Sequence, residues 1–193
     1  MPKKTILLII FLLVALVQIY VPASMILDRE AVLAQGTEFK FRTAPIDPND
    51  PFRGKYITLS FKDTTVPIVN ESDWTAGENV YALLTTDEQG FAQIQSVTRD
   101  YPPEDQDFLT TKISAVSSNG IRQLTLDYPF DRFYLEETKA PEAERVYRES
   151  LRNANQETYA LVSIKDGEAV LKDVLIDGAS IKDIAGQSKN EKN

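Results

Sequence analysis

The chain has 193 residues, with 21 Lys+Arg against 29 Asp+Glu and a formal net charge of −8. Every acid lies at or beyond Asp28, so the bulk of the chain lacks the basic footprint that nucleic acid demands. The absence of Cys and His excludes disulfides, thiol nucleophiles, Ser-His-Asp triads and the usual zinc sites.

Lys3 and Lys4 precede Thr5–Leu27, a run of 23 residues without a charge. About 20 apolar residues span a bilayer core, so residues 5–27 predict a single N-terminal transmembrane helix acting as a signal anchor. A cleaved signal peptide ending near Val21-Pro22-Ala23 is the competing reading; Pro22 and the length of the run count against it. The two lysines favour a cytoplasmic N-terminus, with the acidic domain on the outer side. Residues 1–33 are thus read as a cytoplasmic stub and anchor, with Gly36 as the helix stop. Residues 34–178 are read as an extracytoplasmic β-rich domain. Residues 179–193 are read as a polar, disordered tail.

Phe39 and Phe41 alternate with Lys40 and Arg42 in a first strand. Pro45–Phe61 then makes a corner. Asp47-Pro48 and Asp50-Pro51 start turns, Arg53 offers a planar fork to either Asp, and Gly54 relieves a steric limit. Ile57, Leu59 and Phe61 alternate with Tyr56, Thr58 and Ser60 in the strand that leaves it. A rigid structural corner and a recognition surface are both consistent with this stretch. Calcium ligation of the EF type is not, because the later Gly and bidentate Glu are missing. Val80–Thr85 and Phe91–Val97 predict a hairpin, and Phe108–Val116 and Ile121–Tyr128 another, across Asn119-Gly120. Tyr128, Phe130, Phe133 and Tyr134 read as core aromatics, with Arg132 capping the core edge. Pro141 opens an amphipathic helix near 141–153, with Ala143, Val146, Tyr147, Ser150, Leu151 and Ala154 on one face. Thr158–Ile164 and Ala169–Ile176 form a last hairpin around Asp166-Gly167.

These elements predict a mainly β (α+β) fold: an antiparallel barrel-like or sandwich domain of about seven or eight strands with one amphipathic helix, behind one transmembrane helix. The run Asp-Pro-x-Asp-Pro-x-Arg-Gly-x-Tyr, the stretch Arg132–Glu137 before the helix, and the late strand ending Leu175-Ile176-Asp177-Gly178 together resemble the bacterial GDYXXLXY protein family. Lys55 stands where the name-giving pattern has Asp, and Phe61 where it ends in Tyr. No role here therefore rests on a carboxylate at 55 or a hydroxyl at 61. The resemblance implies a membrane-anchored protein of the bacterial envelope and no catalytic residues. It also implies a multi-spanning membrane protein as partner.

Asp47, Asp50, Arg53, Gly54, Tyr56, Leu59, Arg132, Tyr134 and Glu137 are the candidate interaction positions. No catalytic, metal-binding or cofactor-binding residue is assigned. Glu136 and Glu137 are adjacent, a poor geometry for a carboxylate pair in an extended strand. The expectation is a non-enzymatic accessory subunit of an inner-membrane complex. The alternatives are a binding module for a small molecule or envelope polymer and, further off, a carboxylate hydrolase.

Overall fold

The computed structural model describes residues 3–45, 56–68, 73–103, 105–117, 122–153 and 155–190. The chain opens with α1 (Lys3–Gln35), a helix long and apolar enough to cross a membrane. β1 (Thr37–Arg42) follows after a single residue, then β2 (Tyr56–Thr58), β3 (Thr65–Pro67), β4 (Asn79–Thr86), β5 (Ala92–Thr98), β6 (Phe108–Ser117), β7 (Gln123–Asp127) and β8 (Arg132–Tyr134). α2 (Ala140–Arg152) precedes β9 (Thr158–Lys165), β10 (Glu168–Ile176), β11 (Ala179–Ser180) and α3 (Ile181–Asn190).

Three antiparallel arrays result: β1-β9-β10-β11, the two-stranded ribbon β2-β8, and β3-β7-β6-β4-β5. Single bridges between Lys40 and Phe91, and between Leu109 and Gly167, join the two larger sheets into a near-closed, barrel-like wrap. The β9–β10 turn is built by Asp166 and Gly167, both at positive φ (52° and 81°), the geometry of a type I′ turn. Gly167 also serves the closure. Its carbonyl accepts from Thr110 N–H, and a Cβ there would stand 2.4 Å from the Phe108 ring.

The larger core gathers Phe41, Phe61, Tyr128 and Phe130 with Leu109, Val162 and Val174. Phe41 packs edge-on against Phe61 and Tyr128, with centroids 6.1 and 5.3 Å away, and Tyr128 stacks on Phe130 at 5.2 Å. α2 carries Pro141 in its first turn and lays Ala143 and Tyr147 on this core with Val146 and Leu151 against it, as its spacing predicts; Ser150 is buried beside them, as is Ala140, and Ala154 lies outside the described residues. A smaller core of Val66, Val80, Ala82, Ile113, Leu124 and Leu126 lies within the curl of the five-stranded sheet.

The structure differs from the sequence reading after Gly178. Asp177 and Gly178, again both at positive φ, turn the chain back into β11. α3 then follows in place of a disordered tail. Ile181 and Ala185 are buried in the larger core with Ile184 against it, an i, i+3, i+4 stripe. The polar residues around that stripe mask it in the sequence.

Candidate functional site

β2 and β8 pair in the register Tyr56–Tyr134, Ile57–Phe133 and Thr58–Arg132. The pleat sends alternate side chains to opposite faces. Ile57 and Phe133 therefore fall into the larger core, and Tyr56, Thr58, Arg132 and Tyr134 face outward. Leu59 N–H donates to the Asp131 carbonyl at 2.7 Å, extending the ribbon by one more bond.

The outer face is an aromatic pair with a cation beside it. The rings of Tyr56 and Tyr134 lie 5.4 Å apart at 58°. The Arg132 guanidinium sits 5.3 Å from the Tyr56 ring centre, within cation–π range. Its ion pair with Asp131, at 3.7 Å and half exposed on both sides, adds little holding energy. Tyr134, expected in the core with Tyr128, Phe130 and Phe133, is instead 64% exposed, because alternation in β8 sends it to the face opposite Phe133; among the described large hydrophobic side chains outside α1, only Tyr101 is as exposed. Beneath the ribbon, Lys182 of α3 lies 4.9 Å from the ring of Phe133 and closes the edge of the core.

Of the candidate positions, Tyr56, Arg132 and Tyr134 thus meet on one surface. Glu137 is exposed in the turn that follows, where the Glu136 carbonyl accepts from Lys139 and Ala140 N–H as α2 begins. Leu59 is only 4% exposed, because its strand alternation turns it inward, and it supports the ribbon from the core. Phe61 is likewise buried, against Phe41, Tyr128 and Phe130. Asp47, Asp50, Arg53 and Gly54 lie outside the described residues, and with them the expected Asp–Arg corner.

Two polar assemblies escaped the sequence reading. Arg42 donates to Asp87 at 2.6 Å and to Gln89 at 2.5 Å, and its guanidinium lies 3.9 Å over the Phe91 ring. Asp87 also accepts from the N–H groups of Gln89 and Phe91, capping the turn between β4 and β5. The Phe91 N–H foremost, with Arg42 beside it, holds the Asp87 carboxyl below its ordinary value. Arg99 lies 4.1 Å over the Trp74 ring, donates to the Asp73 carbonyl at 3.0 Å and pairs with Glu78. Arg99 lowers the Glu78 carboxyl in turn. Neither assembly has a local signature, since its partners come together only through strand pairing.

Two concavities flank these groups. One, of about 340 Å³, lies between Arg42, Lys62 and the segment joining α2 to β9. The other, of about 570 Å³, is an open groove between β3 and β5 walled by Trp74 and floored by Val66, Ile94 and Leu124. No group of three or more acidic, His or Cys side chains is placed to hold a metal ion among the described residues.

No curated protein and no solved structure matches the chain. The family model described as GDYXXLXY protein does, over residues 18–174, from the middle of α1 to near the end of β10. With its name-giving stretch running through β2 and most of its length matched, the chain belongs to the GDYXXLXY protein family.

Proposed function

We propose that the protein is a single-pass accessory subunit of a bacterial membrane complex, without catalysis of its own. On this reading it engages a multi-spanning membrane protein through the outer face of the β2–β8 ribbon. The observation that carries the reading is the exposed Tyr56–Arg132–Tyr134 cluster on a ribbon whose other face is core. Tyr and Arg dominate binding hot spots, and a rigid support spares the entropy of ordering them. α1 holds the domain at the membrane, and Lys3 and Lys4 favour a cytoplasmic N-terminus, which puts the acidic domain outside.

The test is co-purification of the full-length protein from its own membranes in mild detergent, beside Tyr134→Ala and Arg132→Glu. A stoichiometric multi-spanning partner that both variants lose supports the reading. A partnerless native protein, or a partner retained by both variants, counts against it.

A second reading, a binding module for a small molecule or envelope polymer, is favoured by the groove beside Trp74. Its volume lies in the range of ligand sites, and its lining mixes apolar and hydroxyl side chains. Saturable binding abolished by Trp74→Ala, with the partner of the first test absent, would select it.

A further inference from the structure

We infer that α1 and the β domain form one rigid body, so that a partner gripping the membrane half of α1 also sets where the β2–β8 ribbon points. The inference rests on reading α1 as a retained membrane helix.

The helix runs 33 residues without a break, through Pro22, and spans about 50 Å. Its charge-free run accounts for about 35 Å, slightly more than the roughly 30 Å hydrocarbon core. Residues 28–35 therefore stand clear of the lipid tails as two further turns. They are not a free stalk. Val32 is 5% exposed against the sheet, and its carbonyl accepts from both Ser163 O–H at 2.6 Å and Gly36 N–H at 2.9 Å. One turn earlier, Arg29 donates to the Ala169 carbonyl at 3.4 Å; at the helix end, Lys165 donates to Gln35 at 2.6 Å. The helix thus holds β9 and β10 at once, on both sides of their turn. β9 is interior to its sheet and buried at Thr158, Tyr159, Ala160, Val162, Ser163 and Ile164.

There is also no joint. Gly36 alone separates α1 from β1, which pairs with β9 from Thr37 onward. A Cβ on Gly36 would lie 2.5 Å from Ser163 Oγ, 2.5 Å from the Val32 carbonyl and 2.8 Å from that of Ile164. The backbone is seated where no side chain fits. A flexible linker would let the domain sway through a wide cone; this connection has neither the length nor the space. The family match begins at residue 18, inside the charge-free run, so the shared unit includes the half of the helix that docks.

The chain has no native cysteine, so a Met25→Cys/Gln93→Cys pair carries the only two spin labels. Pulsed electron–electron resonance on the full-length protein in lipid nanodiscs should give one narrow distance distribution. A Gly/Ser insertion of about six residues between Gln35 and Gly36 should broaden it severalfold. Gly36→Ala should broaden it less. A native distribution as wide as that of the insertion overturns the inference. Alkaline washing of membranes tests the anchor reading separately. Release of the protein together with a narrow distribution in detergent would sink the membrane reading and leave the rigid joint standing.

Discussion

The two sheets bury their faces in very different ways. The four-stranded sheet, with the ribbon, α2 and α3, closes over a core that holds 21 of the described residues and is rich in aromatics. The five-stranded sheet curls around six of the described residues. The two cores meet along β4, whose Val80 and Ala82 face the small one and whose Leu84, next on the same face, enters the large one. The ribbon, with its outward Tyr–Arg cluster, attaches to the large core, and α1 docks on β9 and β10 of the four-stranded sheet. The difference teaches where support was placed: the outward Tyr–Arg cluster and α1 both sit on the half with the larger core, and the open groove lies on the other.

The largest effect should come from truncation in the large core. Phe41→Ala removes a ring packed against Phe61, Tyr128 and Phe130 and should cost about 3–5 kcal/mol by chemical denaturation. Ile113→Ala in the small core should cost about 2–4 kcal/mol. In native-state hydrogen exchange it should release the amides of β3 and β5 well before those of β9. Equal loss of protection across β9 would show that the two halves are one cooperative unit and would break the comparison.

The seam between the halves can be probed at two glycines of the same φ, 81°. A Cβ at Gly90 meets nothing within 4 Å, and one at Gly167 meets Phe108 and Thr110 at 2.4 and 2.5 Å. Gly90→Ala should cost about 1–2 kcal/mol for its backbone alone. Gly167→Ala should exceed that by at least about 1 kcal/mol, because the turn must also withdraw from β6. Equal costs would mean that the closure there is loose.

What the sequence made legible follows the same division. Long strands with clean alternation, the Pro141 helix and the Asp166-Gly167 turn were readable, because each is encoded within a dozen residues. The ribbon was not. β8 is three residues long, too short for a period, and Tyr56 meets Tyr134 only because the larger core draws Ile57 and Phe133 together. α3 was hidden by the polar residues around Ile181, Ile184 and Ala185. The Arg42–Asp87 link joins two sheets, and nothing local to either residue announces it. Tyr56, Arg132 and Tyr134 were named from the family resemblance, and their convergence on one face came only with the pairing.

The Asp87 carboxyl, held by the Phe91 N–H foremost and by Arg42 beside it, makes the Arg42–Asp87 tie between the halves pH-dependent, since Arg42 ends β1 and Asp87 caps the turn before β5. The folded carboxyl titrates below its ordinary value of 3.8. Its contribution is therefore complete at neutral pH and is lost as pH falls through the folded value. Asp87→Asn should lower Tm by a few degrees at pH 7, and the gap to wild type should close on acidification below 3.8. A gap that persists unchanged into acid would assign the effect to turn geometry instead of charge.

The smallest effect is expected at Tyr147, where α2 meets the large core. Its ring is 1% exposed and its hydroxyl makes no hydrogen bond, although the Thr43 side chain and the Ser60 backbone lie nearby. The Thr43 hydroxyl gives its own proton to the Thr158 carbonyl at 2.8 Å and so donates nothing to the phenol. Tyr147→Phe therefore gives up no bond and should change stability by less than about 1 kcal/mol at pH 7. Alkaline pH separates the two proteins. Burial pushes the folded phenol from 10.0 up to about 12, so wild type loses stability as the unfolded chain ionises between those values. The Phe variant lacks that loss and should resist unfolding better than wild type at pH 11, in melts followed by circular dichroism. Identical melts at pH 11 would mean that the hydroxyl reaches solvent, and that α2 sits less firmly on the large core than the burial of its inner face implies.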